Sequence, residues 1–228
     1  MNDLGAPNLA EDLLLALFQP DTGTIAGETT LYYVLAGAAL ADLALNERVT
    51  TRTARAGYVV VEAVEDQAPA DEILRTAWDY VADRPSGVQT VRAAIGPALR
   101  QPLRERLIAR GDIREENGKV LGLLKTTTLK DGGNGRRAGL IEDVRSILVD
   151  GAEPIPRVAA LAALMWGSGS LHQLDPEIPW NSVVIGRAQE LGRGNWSVEG
   201  ATQAVARATA TMIAIIASAV LPGNKSPG

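Results

Sequence analysis

Leu31-Tyr32-Tyr33-Val34-Leu35-Ala36-Gly37-Ala38-Ala39-Leu40-Ala41-Asp42-Leu43-Ala44-Leu45 holds a single charged residue, Asp42, in an otherwise apolar run. Leu and Ala dominate it, and both favour the helix. Leu31, Leu35, Ala38, Ala39 and Asp42 fall at i, i+4, i+7, i+8 and i+11, so they share one helical face. The spacing predicts a helix over residues 29–46. Gly37 inside it costs about 1 kcal/mol relative to Ala, which points to close packing at that position.

Similar helical segments recur on both sides of it. Asn8 followed by Glu11 resembles a capping box and opens a helix from Leu9 to Phe18. Pro20-Asp21-Thr22-Gly23 ends it with turn residues. Further helices are predicted from Asp71 to Val81 and from Val88 to Ile95. Another starts with Pro102 in its first turn and ends at Arg110, before Gly111. The last third reads as helices over Leu140–Val149, Pro156–Trp166, Ser182–Leu191 and Val198–Leu221. Two β-hairpins interrupt the series. One covers residues 48–64 and includes Val49, Tyr58 and Val60. The other covers residues 112–129 and turns at Asn117-Gly118, a favoured hairpin dipeptide. The expected fold is therefore mainly α: a single globular helical domain over residues 1–228, with its core at about 8–221 and one or two β-hairpins.

Composition narrows the function classes. The 228 residues include no cysteine and one histidine, His172. Disulfides, thiol catalysis and zinc–cysteine sites are excluded, and a histidine-rich metal site is impossible. His172 has no nucleophile or orienting acid that the sequence nominates. Adjacent carboxylates such as Glu11/Asp12, Asp71/Glu72, Glu115/Glu116 and Glu142/Asp143 sit mostly near predicted helix starts, where they complement the dipole. No catalytic residue, cofactor or metal is expected, and the chain reads as a binding protein. The net charge of −5 speaks against nucleic acid as the main partner. Met1–Pro7, with no basic segment followed by an apolar run, is not expected to be a signal peptide, and Met212–Leu221 is too short to span a bilayer. The expected location is the cytoplasm.

Arg100, Arg104, Arg106 and Arg110 form the densest basic cluster. Arg100 and Arg104 flank the predicted helix start at Pro102. Free N–H groups and positive potential at a helix N-terminus suit a phosphate, so Arg100, Arg104 and Arg106 are the candidate residues for an anionic head group or phosphorylated ligand. Arg136 and Arg137, behind the loop Gly132-Gly133-Asn134-Gly135, are a weaker candidate for an anion contact; that loop lacks the Lys-Ser/Thr of a P-loop. The helix before Gly111 followed by a hairpin also has the order of a winged helix. A DNA-binding regulator is therefore one alternative, against which Glu115 and Glu116 count. A protein-only adaptor is the other.

Taken in order, Leu9-Ala10-Glu11-Asp12-Leu13-Leu14-Leu15-Ala16-Leu17, Leu35 to Leu45, Leu103-Arg104-Glu105-Arg106-Leu107, Ala109-Arg110-Gly111, Pro156-Arg157-Val158-Ala159-Ala160-Leu161 and Arg187-Ala188-Gln189-Glu190-Leu191 resemble the Golgi phosphoprotein 3 family, in its bacterial form. The resemblance runs from about Leu9 to Val220. It implies a helical domain with a projecting hairpin and a non-enzymatic, peripheral membrane-binding role on the cytoplasmic membrane face, which the family's eukaryotic members perform through phosphatidylinositol 4-phosphate. It also implies membrane-protein partners, and self-association through a hairpin that corresponds to residues 48–64. The family's head-group pocket uses a Trp, an Arg on the second helix and two later Arg. The Trp position falls near Gly27 and the second-helix Arg at about Ala36; the later pair corresponds to Arg100 and Arg104. Two of four charge-assisted contacts, each worth about 1.5–3 kcal/mol, are thus absent. The ligand expected is an anionic lipid or another phosphate, not the eukaryotic head group specifically.

Overall fold

The structure is a computed structural model, and it describes residues 4–53, 59–120, 124–194 and 210. α1 (Leu9–Ala16) begins with the expected capping box: the Asn8 side chain accepts from the Glu11 N–H at 2.9 Å, and Glu11 accepts from the Asn8 N–H at 3.3 Å. A short ribbon follows, β1 (Phe18–Gln19) against β2 (Thr24–Ile25), closed by the turn residues between them. α2 (Leu31–Leu45) is buried on nearly every side, with Leu31 and the whole run from Val34 to Ala44 out of solvent. It packs against α1 and against three later helices, so it forms the axis of the core.

β3 (Val49–Thr53) and β4 (Val59–Ala63) pair antiparallel from Val49↔Ala63 to Thr53↔Val59. α3 (Glu72–Asp83) is capped by Asp71, whose carboxylate accepts from the Ile73 and Leu74 N–H groups. The two-residue β5 (Ser86–Gly87) joins the outer side of β4. α4 (Val88–Ala109) leads into the hairpin of β6 (Ile113–Val120) and β7 (Leu124–Asp131). α5 (Arg136–Arg145) runs on into a π-helical turn, Ser146–Asp150. α6 (Pro156–Gly167), a short 3₁₀ turn at Leu171–Leu174, and α7 (Ser182–Gly192) complete the described chain. The protein is mainly α, as expected, with small antiparallel sheets attached.

The structure corrects two local expectations. Two helices were expected between Val88 and Arg110, but α4 is one continuous helix of 22 residues that passes through Pro97 and Pro102. Its buried stripe explains why: Val88, Val91, Ile95, Leu99, Leu103 and Leu107 recur every three or four residues and lie against α2 and α1. Proline removes an intrahelical donor and usually breaks a helix. Here Pro97 is exposed and Pro102 half-exposed, so the freed carbonyls lie on the outer side, where helices bend toward water. Arg100 and Arg104 therefore stand mid-helix, without the free N–H groups expected at a helix start.

The second correction concerns the hairpin turn. Asn117 pairs with Thr127 and Gly118 with Thr126, and the ladder continues to Val120↔Leu124. A reversal at Asn117-Gly118 would leave residues 124–131, with Thr126, Thr127 and Thr128, unpaired; the longer register pairs them all. The helix expected over Val198–Leu221 lies outside the described residues.

Candidate anionic-ligand site

Arg100 and Arg104 line one crevice. Its floor is apolar: Leu14 from α1, Phe18 and Ile25 from the ribbon, Leu107 from α4, Ile113 and Leu129 from the hairpin. The crevice is narrow, about 30 Å³, which is room for little more than a water. Residues four apart on a helix have Cβ atoms about 5–6 Å apart, so both arginines can reach one phosphate. Each now holds a carboxylate. Arg100 Nη2 lies 2.6 Å from Glu28 Oε1, and Arg104 Nη2 lies 3.4 Å from Glu115 Oε1. All four side chains are roughly half exposed.

Arg106 does not join this pair. Two positions beyond Arg104, it points about 200° around the helix. There it bonds to Asp71 and, at 3.3 Å, to Glu11. It belongs to a buried ionic network at the N-terminal end of α1. Fully buried Glu11 also accepts from Arg110 at 2.6 Å, and Arg110 donates to the Gly5 and Leu4 carbonyls. Asp12 binds Arg157 at 2.5 Å and Arg136. Asp42, the one carboxylate on α2, accepts from the Leu9 N–H at 2.6 Å and from Arg157 at 3.1 Å. Arg136 also reaches buried Asp112. The network ties α1, α2, α4, α5 and α6 to the segment before α3. Glu11 and Asp12 were expected in cap or surface roles; Glu11 does cap, but both are buried and ion-paired.

Arg136 and Arg137 are likewise committed inside the protein, which removes them as an anion site. Arg137 makes a two-pronged bond to Glu177, 2.6 Å on each side, and donates to the Phe18 carbonyl at 2.6 Å. His172 lies edge-on to Trp180, whose ring stacks on Trp166.

Two carboxylates of the network titrate in opposite senses. Burial pushes the Asp42 carboxyl up, and Arg157 with the Leu9 N–H only partly offsets this. At Asp71 burial also acts upward, but the bond and charge of Arg106, together with the Leu74 N–H, hold the carboxyl below the usual range. Stability supplied by Asp71 is therefore present above the unfolded value, about 3.9, and lost as the pH falls through the lower folded value. Asp42 contributes the other way: protonation relieves its burial, and that stability is lost as the pH rises through its folded value. The expected result is that Asp71→Asn lowers stability at neutral pH and flattens the loss of stability below about pH 4. Urea denaturation across that range checks it; parallel acid limbs for both proteins would contradict it.

The expected self-association hairpin is present, but its residues differ in accessibility. Val49 is buried within the chain, Val60 is half-buried opposite Arg52 and Gly87, and Tyr58 lies outside the described residues. Among the described residues β3 forms the edge of its sheet, with Thr50, Arg52 and Thr53 exposed.

Among the described residues no helix is long and apolar enough to cross a membrane. None of their acidic and histidine side chains group in a way that could hold a metal ion. The molecule is thus a helical protein built around one buried axial helix, with a hairpin beside an arginine-lined crevice. The profile of the Golgi phosphoprotein 3 (GPP34) family matches residues 9–208, and the chain belongs to that family. No curated protein matches it. Gly27 and Ala36, near which the resemblance places the other two contacts, leave no space for a larger side chain. At Gly27, φ is +71° and a Cβ would lie 2.0 Å from the Ser170 hydroxyl. Ala36 is fully buried in α2.

Proposed function

We infer that this chain is a non-catalytic, peripheral membrane-binding protein that holds a phosphate-bearing head group between Arg100 and Arg104. The observation that carries this reading is the pair itself. Two arginines one helical turn apart face the mouth of one apolar crevice, and their present partners are exposed and replaceable. Exposed ion pairs are worth only about 0–1 kcal/mol, so a phosphate can compete for them. Family membership supports the same class of function. The winged-helix reading fits less well, because Arg106 and Arg110 are consumed by Glu11 and Asp71 and are not offered to a nucleic acid backbone.

Vesicle flotation tests the reading. The protein should float with vesicles that carry phosphatidylinositol 4-phosphate and not with phosphatidylcholine alone. Inorganic phosphate, as soluble competitor, separates a lipid-surface ligand from a free one: competition at low millimolar phosphate would favour a soluble ligand. Absence of binding to any anionic vesicle would overturn the proposal.

The exposed edge of β3 supports a second element of the reading, pairing with another copy of the chain. Sedimentation should show a concentration-dependent dimer that Arg52→Pro abolishes. A strict monomer at high concentration would remove this element and leave the crevice untouched.

A further inference from the structure

We propose that Glu28 and Glu115 are built-in competitors for the arginine pair, so that the site yields to a ligand with two negative charges on one group and resists singly charged ones. The proposal rests on the reading of Arg100 and Arg104 as the binding residues. Glu28 and Glu115 come from separate elements, and each is held where it meets its arginine. Glu28 lies on the loop between β2 and α2. That loop is pinned by Gly27, whose backbone has the left-handed φ of +71° and whose missing Cβ makes room for Ser170. Thr30 pins it further, donating to the Gly27 carbonyl at 3.1 Å and the Ser168 carbonyl at 3.0 Å. Glu115 is placed by the β6–β7 register, opposite Leu129, which lines the crevice.

The charges of these four side chains cancel. An approaching monoanion, such as the phosphodiester of an ordinary anionic lipid, must break one pair to make one, and gains little. A phosphomonoester carries about −1.5 to −2 at pH 7 and three acceptor oxygens. It can hold both guanidinium groups at once while the two carboxylates turn into water. The half-exposed state of both glutamates lets them turn without rearranging the core.

The test compares vesicles of equal surface potential that carry either phosphatidylinositol 4-phosphate or phosphatidylglycerol. The wild type should bind the first about tenfold more tightly. The variant Glu28→Gln/Glu115→Gln should gain roughly 3–10-fold on phosphatidylglycerol, since each exposed pair released is of modest strength, and the preference should narrow. A control, Glu105→Gln/Glu116→Gln, makes the same change in net charge on nearby exposed residues that do not pair with Arg100 or Arg104; it should leave the preference as in the wild type. Equal wild-type binding to both vesicles, or a preference that moves alike in the two glutamine variants, would overturn the competitor role. In those outcomes the arginine reading still stands if Arg100→Ala/Arg104→Ala loses binding. Absence of binding to either vesicle by every variant would overturn both.

Discussion

Replacing Glu11 with alanine is expected to destabilise the protein by about 3–5 kcal/mol, the cost of breaking a buried ion pair from one side. Glu11 is fully buried and accepts three hydrogen bonds: from Arg110 at 2.6 Å, from Arg106 at 3.3 Å and from its own cap at Asn8. Removing it leaves Arg110 with the neutral carbonyls of Gly5 and Leu4, and Arg106 with Asp71 alone. A net stability of about 5–15 kcal/mol is typical, so the loss would be a large share of the total. Urea denaturation measures it. The reference is Glu62→Ala: Glu62 pairs with Arg52 on the sheet surface, where a change within about 1 kcal/mol is expected. Equal effects at the two positions would show that the buried network does not hold the helices together.

That network marks where sequence reading succeeded and where it stopped. The axial helix, the capping box at Asn8 and Glu11, and the family were all legible, because each depends on short-range spacing or on an ordered series of segments. The continuity of α4 is concealed because Pro97 and Pro102 carry strong local breaking signals. The stripe from Val88 to Leu107 overrode them, since burial against α2 outweighs a lost donor on the outer side. The hairpin turn was misplaced for a related reason: Asn117-Gly118 is a good local turn, but full pairing of β7 required the longer register. The ionic partners were out of reach. Arg136 and Arg157 meet Asp12 across more than a hundred residues. One signal did exist: Asp42, alone among the Leu and Ala of a buried helix, demands a cation, and Arg157 supplies it. Sequence nominated Arg100 and Arg104, which line the crevice, but grouped Arg106 with them, although two residues of helix turn a side chain about 200° away. It likewise did not show that Glu28 and Glu115 already occupy the pair.

The second large effect concerns that pair. On the proposed function, Arg100→Ala/Arg104→Ala removes two charge-assisted contacts to the head group, each worth about 1.5–3 kcal/mol before the loss of the glutamate pairs is offset. Affinity for phosphatidylinositol 4-phosphate vesicles should fall roughly 10–100-fold. Stability should stay within about 1 kcal/mol of the wild type, because both side chains are half exposed and the buried stripe of α4 is untouched. Binding isotherms of the wild type and this double variant, measured on the same vesicles at one salt concentration, test membrane attachment through the crevice most directly. A variant that folds with the wild-type denaturation midpoint and binds at least about tenfold more weakly is the predicted result; superimposed isotherms would contradict it.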